Sequence, residues 1–399
     1  MFGRRLDDTY ASDVREHLTT LTVARLVSNA CYRFAPPFVA TIARGFDVTV
    51  SQLGIALMVG ELAGLLAPFV GRVIDRNRRR NSMLVGMAAI VASVVLASVS
   101  NSIALFTVSV FALSMSKVVF DSSMVVWIND HVPYERRGRV IGIIETSWAL
   151  GLLIGVLAMG LVTELINWRA GYLVGAVAMF FSLAVVAQKL PAEPPRLSED
   201  SGVKGSLRGS PLLIVGTMFC LMAASQSLGI TFGAWLEDDH GANAAVISGV
   251  VFFLGALELV ASITSARRTD TWGKERSVMY GTAIMVPSGL LMVIGAREVL
   301  LGLLLFIVFI GAFEFAVVSA LPIAANLIPG STGVGLGAAV GAGTFGRAVM
   351  SAIATALYDS HGFAAPGLVG ASLALSAGLL TFAYSRTQRV TMKDANSDW

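Results

Sequence analysis

Hydrophobic and polar positions alternate along this chain on a long period. Twelve mostly apolar runs fall near 19–42, 52–74, 82–100, 103–128, 139–164, 169–188, 211–235, 245–267, 277–296, 299–327, 334–357 and 362–385, separated by short polar stretches. A bilayer core takes about 20 apolar residues per helix, so each run predicts one membrane-spanning helix. The one long interruption is 189–210, where Pro191, Pro194, Pro195, Ser198, Glu199, Asp200, Gly202 and Lys204 make a polar linker. It divides the chain into a bundle of six spans over 1–188, a linker over 189–210, and a second bundle of six with a short tail over 211–399. The expected fold is therefore an all-α membrane protein of twelve transmembrane helices in two six-helix bundles.

Composition sharpens this. Of 399 residues, 55% are hydrophobic and 14% charged, against about a quarter charged in a soluble domain. The net charge of +3 is small, and its basic residues fall in short loops. It reports topology, not nucleic-acid binding. Arg4, Arg5 and Arg15, the stretch Arg72 to Arg80, Arg136, Arg137 and Arg139, Arg267, Arg268, Lys274 and Arg276, and Arg386, Arg389 and Lys393 share one side, whereas the opposite loops hold Arg44, Arg169 and Arg297. The positive-inside rule places both termini and the linker in the cytoplasm, in a plasma (inner) membrane. The first run lacks an obvious small-residue cleavage site and reads as a retained helix. Cys31 and Cys220 both fall within spans, which argues against a disulfide framework.

The two halves repeat. Gly60-Glu61-Leu62 precedes Asp75-Arg76 and Arg79-Arg80 after the second span, and Leu257-Glu258-Leu259 precedes Asp270 and Gly273-Lys274 after the eighth. A buried acid ahead of a loop aspartate at matching places argues for duplicated domains about a central pathway. The run Gly71-Arg72-Val73-Ile74-Asp75-Arg76-Asn77-Arg78-Arg79-Arg80 resembles the loop motif of the major facilitator superfamily, with Arg78 in place of the second glycine. Together with the twelve spans, the resemblance covers nearly the whole chain. It implies the major facilitator fold, two pseudo-symmetric bundles, transport by alternating access, and a cytoplasmic gate built on Gly71, Asp75, Arg76, Arg79 and Asp270, with Asp130 or Glu135 available to hold the arginines. The fourth span departs from the family pattern. Lys117 takes the basic position and Asp121 the glycine. The Gly-Pro step of drug/proton antiporters is missing from the fifth span, although Gly151 and Gly155 leave a small-residue face for close packing.

Five acids lie inside spans: Glu61, Asp121, Glu145, Glu258 and Glu314. A charge at the centre of a spanning helix costs about 2.5–3.5 kcal/mol on insertion scales, so each must be paired, hydrated or protonated. They are the candidate proton carriers. Lys117 and Asp121 stand one helical turn apart and can pair. Glu61 and Glu258, equivalent in the two halves, read equally as proton carriers or as locks between helices. Glu314 sits among Phe306, Phe309, Phe313 and Phe315, where protonation relieves the cost of an unpaired carboxylate. Candidate substrate contacts are Asn29, Arg33, Lys117, Gln226 and Arg347. Arg25, Asn29 and Arg33 are spaced four apart and form a polar stripe on the first helix, with Arg25 able to snorkel to the cytoplasmic boundary. Arg347 is a candidate partner for Glu314 or, across the seam, for Glu61.

No enzyme is read here. There is no nucleophile elbow and no phosphate-binding loop, and His17, His131, His240 and His361 are too scattered to predict a metal site. No catalytic residue, metal or cofactor is expected. The partners are a small-molecule substrate, protons and the lipid bilayer, with no nucleic acid, and the chain is taken to act as a monomer. The expected function is proton-coupled secondary transport of a small organic solute, first as efflux by antiport of drug-like or amphipathic metabolites. The alternative is symport or exchange of an anionic metabolite or lipid-like substrate, suggested by Arg33, Lys117 and Arg347. A receptor or scaffold without transport ranks third, because no signalling module is present.

Overall fold

The computed structural model describes residues 10–66, 78–132, 134–191, 209–328 and 332–397. Among them there is no strand. In a bilayer every backbone polar group must be satisfied within the chain, and helices do this segment by segment. The elements are α1 (Ser12–Arg33), α2 (Val39–Gly45), α3 (Val50–Leu62), α4 (Arg79–Val99), α5 (Ile103–His131), α6 (Tyr134–Leu150), α7 (Leu157–Leu165), α8 (Trp168–Lys189), α9 (Pro211–Gly229), α10 (Phe232–Ala234), α11 (Ala244–Trp272), α12 (Lys274–Gly295), α13 (Val299–Ala325), α14 (Thr332–His361) and α15 (Ala364–Ser397). A π-helical segment, Gly151–Val156, joins α6 to α7, and a second, Trp235–Asp239, follows α10.

Ten helical stretches are long and apolar enough to cross a membrane, and Val50–Leu66 is a shorter apolar one. Large apolar side chains such as Val85, Leu165, Phe180, Phe181 and Leu300 face outward on these helices, as expected where lipid replaces water as the solvent. The chain is a multi-pass membrane protein.

Three boundaries differ from the sequence expectation. The first span is not one run over 19–42. It starts at Ser12, carries Asp13, Arg15 and Glu16 in its first turns, and ends at Arg33. Pro36 and Pro37 cannot donate backbone hydrogen bonds, so the chain tightens into a 3-10 turn, Pro36–Phe38, before α2. The seventh span, expected over 211–235, stops at Gly229 and restarts at Phe232. The eighth continues past 267 through Arg267 and Arg268 to Trp272, so Asp270 stands on a helix and not in a loop. Charge ended the apolar run, but the backbone ladder needs no apolar side chains. It ends at Gly273, whose φ of 90° an L side chain rarely adopts.

The chain forms two compact units. The first holds Met1–Val48, Val59–Asp200 and Gly241–Ala256, and the second holds Thr49–Met58, Ser201–His240 and Leu257–Trp399. Helices α3 and α11 therefore each contribute to both units, at the positions of the internal repeat. In the first unit α1 packs directly on the π segment. A Cβ at Gly151 would lie 3.0 Å from the Cβ of Asn29, and one at Gly155 would collide with the Cβ of Ala30. The glycines of the fifth span thus set the approach of α1. The start of α11 packs there too, since a Cβ at Gly255 would lie 2.7 Å from the Leu153 nitrogen. In the second unit Gly281 of α12 meets the Ala312 carbonyl of α13 at 2.7 Å on the same criterion.

Replacing Gly155 by Val should push α1 off the π segment and cost about 1–3 kcal/mol, as overpacking does. Gly142→Ala, where an added Cβ meets nothing within 4 Å, should be neutral or stabilising by up to about 1 kcal/mol. Thermal unfolding of both variants in detergent checks the contrast.

Candidate functional site

The polar stripe of α1 reaches into the first unit and meets α5 and α6. Lys117 of α5 is the hub. Its ammonium nitrogen donates to Asp121 Oδ2 at 2.5 Å and to Asn29 Oδ1 at 2.7 Å, and lies 5.8 Å from the centre of the Tyr32 ring. Asn29 is fixed in turn, its amide donating to Ser147 Oγ of α6 at 3.2 Å, which turns the amide oxygen toward the lysine. All three of these side chains, Lys117, Asn29 and Ser147, are buried.

Arg25 lies between two carboxylates. Its Nη1 is 2.9 Å from Glu145 Oε1 and donates to the Ile144 carbonyl at 3.3 Å, and its Nε is 3.5 Å from Asp121 Oδ1. Arg25, read from the sequence as able to snorkel, is held here by two acids. Glu145, read from the sequence with Glu61 and Glu258 as a seam acid, joins this cluster through Arg25. Two cations face two anions, so the set is neutral as it stands. The two signs are placed differently, however. Side-chain exposure is 11% for Arg25 and 9% for Lys117, against 24% for Asp121 and 54% for Glu145. The cations are the more buried partners and the carboxylates the more exposed ones.

Arg33 lies about two turns beyond Arg25 on α1. Its guanidinium sits 4.4 Å from the centre of the Trp148 ring and donates to the Trp148 carbonyl at 3.2 Å, a cation–π arrangement that also caps a helix carbonyl. The Tyr32 hydroxyl donates to Glu61 Oε2 at 2.6 Å, tying α3 to α1. At one end of the same unit Arg79 Nε meets Asp130 Oδ2 at 3.1 Å. Gly71, Asp75 and Arg76, the rest of the gate read from the sequence on this side, lie outside the described residues.

The second unit holds a separate polar seam between α11 and α13. Ser262 donates to Glu314 Oε1 at 2.7 Å. Ser265, Thr269 and Ser319 close a triangle of hydroxyls with edges of 3.0, 2.8 and 2.8 Å, and all three are buried. Glu258 is buried on α11, and Asp270 is exposed near its end. Gln226 of α9 donates to Ser351 of α14 at 2.9 Å, and Ser351 donates to the Arg347 carbonyl at 2.9 Å. Gln226 is thus engaged in a bond between helices.

With this geometry in view, the comparisons place the chain. Residues 21–257 match the family model for the Major Facilitator Superfamily, which is more than half of the sequence. The chain belongs to that superfamily. It is 24% identical over 260 residues to the "Uncharacterized MFS-type transporter YwfA" of Bacillus subtilis strain 168, a match covering 62% of this chain and 63% of that relative. Among solved structures, a bacterial homolog of the human lysosomal transporter Spinster superposes with a TM-score of 0.77 at 11% identity, covering 94% of this chain and 98% of that one. The human organic anion transporter MFSD10 (TETRAN) gives 0.70 at 17% identity, over 93% and 100%. These likenesses establish the fold.

Asp121 has two cations to satisfy, and removing it leaves both partly uncompensated. Asp121→Leu should cost about 3–5 kcal/mol, the usual penalty for breaking a buried pair. Lys117→Met in the same chain should recover much of that loss. The coupling energy from the four-member thermal-unfolding cycle measures the pair.

Proposed function

We propose that this protein is a proton-coupled secondary transporter that exports amphipathic organic cations in exchange for protons. The observation carrying this reading is the placement of the Asp121 and Glu145 carboxylates on the exposed side of a cluster whose cations, Arg25 and Lys117, are buried. A positively charged ligand meets acceptors first. An anionic ligand would have to pass them. Tyr32, its ring 5.8 Å from the Lys117 nitrogen, and Trp148, 6.5 Å from that ring, supply apolar faces suited to the body of an amphipathic solute.

In this reading Asn29 and Ser147 orient Lys117, and Arg33 positions the Trp148 ring. Glu61 and Glu314, each held by a hydroxyl, serve as ties between helices, and Glu258, Gln226 and Arg347 belong to the packing of the second unit. The pair Arg79–Asp130 works with Gly71, Asp75, Arg76 and Asp270 at a cytoplasmic gate. The halves that rock are those divided by the linker at 189–210, in a plasma membrane with both termini inside.

A second reading, symport or exchange of an organic anion, draws on the three basic side chains Arg25, Arg33 and Lys117 in one unit and on the fold likeness to MFSD10, named as an organic anion transporter. The two readings separate in proteoliposomes with an imposed pH gradient. Ethidium should move uphill against the proton flow, and Asp121→Asn or Glu145→Gln should lower that flux by about tenfold or more, the loss for roughly 1.4 kcal/mol of binding. Uphill movement of benzoate with the proton flow, and none of ethidium, supports the second reading.

A further inference from the structure

Charge counting within the cluster of Arg25, Lys117, Asp121 and Glu145 bears on the proton carrier. The argument rests on the cationic-substrate reading. Arg25 and Lys117 balance Asp121 and Glu145, so a bound monovalent cation leaves the cluster with one positive charge in excess. Within a weakly polar interior such an excess is expensive, and the cheapest correction is the loss of one proton from a group that has one to lose. Both carboxylates already face cations at ion-pair distance. Arg25 holds its proton under all ordinary conditions. The ammonium of Lys117 remains.

We propose that Lys117 is the group that binds and releases the coupling proton. At rest its charge is held by Asp121 Oδ2 at 2.5 Å and by Asn29 Oδ1 at 2.7 Å. An incoming organic cation takes over Asp121 and breaks the Lys117–Asp121 ion pair. One N–H bond of the ammonium then breaks heterolytically, the electron pair stays on Nζ, and the proton passes to water. The neutral amine keeps a hydrogen bond to Asn29, and Asp121 now neutralises the ligand. The total charge of the cluster is the same before and after. Reprotonation of Lys117 re-forms the ion pair with Asp121 and expels the ligand, so exchange is one cation for one proton.

The surroundings of the lysine fit this role from every side. On its own helix it faces Asp121. From α1 it faces Asn29 and the Tyr32 ring, with Arg25 beyond Asp121. From α6 the nearest charge is Glu145, bound to Arg25. Helix α4 carries Arg79 and Arg80 as its titratable side chains, both in its first turn, with Arg79 on Asp130. The 3-10 turn Ala63–Leu66 has none, and Glu61 before it takes the proton of the Tyr32 hydroxyl into a hydrogen bond.

The test is titration calorimetry of the whole protein in detergent with tetraphenylphosphonium, a lipophilic cation with no proton to exchange. Running it in buffers of different ionisation enthalpy counts the protons released. The wild type should release about one proton per cation bound, with affinity rising about tenfold per pH unit, as linkage requires for one exchanged proton. Lys117→Gln, in which Asp121 keeps Arg25, should bind the cation with proton release lost and affinity independent of pH. Lys117→Arg, which keeps the positive charge and cannot deprotonate, should also release no proton and should bind more weakly than Lys117→Gln. Proton release that persists in either variant overturns the assignment to Lys117 while leaving cation transport standing. No binding of tetraphenylphosphonium to the wild type removes the cationic-substrate reading and this inference together.

Discussion

The first unit depends on one requirement: a buried ammonium must keep a counter-ion. Lys117 meets it through Asp121 and Asn29, and the neighbouring side chains follow. Asp121 attracts Arg25, Arg25 brings in Glu145, and Asn29 is oriented by Ser147. Three helices are joined by this chain of partners. Its members are individually costly to bury and become tolerable only as a set. A fully apolar seam would hold the helices more cheaply. A neutral, interlocked charge set instead gives a junction whose state depends on what else binds to it.

Close packing makes the set geometrically possible. Gly151 and Gly155 allow α1 to lie against the π segment, so that Asn29 comes within reach of Ser147 and Arg33 within reach of the Trp148 carbonyl. π segments are uncommon and recur near functional positions. Here one begins three residues after Trp148, whose carbonyl accepts from Arg33. The second unit solves the same burial problem differently, with hydroxyls. Ser262, Ser265, Thr269 and Ser319 join α11 to α13 without a buried cation among them. One unit thus carries a junction of paired charges, and the other a junction of hydroxyls with the Glu314 carboxyl.

Much of the fold is legible in the sequence, because lipid imposes a simple rule on length and polarity. Ten of the expected spans appear as long apolar helical stretches, the seventh with a break after Gly229. The errors arose where that rule and the hydrogen-bond ladder part company. Pro36 and Pro37 are apolar enough to pass as membrane residues yet break the ladder, and Arg267 and Arg268 end an apolar run while the helix runs on to Trp272.

For the site, the sequence by itself determined which residues had to find partners. The stripe Arg25, Asn29, Arg33 on one helix face and the turn spacing of Lys117 and Asp121 follow from a 3.6-residue period. The partners across helices were decided by tertiary structure alone. Arg25 pairs with Glu145 across 120 positions of chain, and Tyr32 with Glu61, because packing sets which faces meet and no local spacing encodes that. The same holds for the Ser265, Thr269 and Ser319 triangle. Each hydroxyl alone is unremarked among many serines and threonines, and its meaning comes only from the two helices that bring the three together.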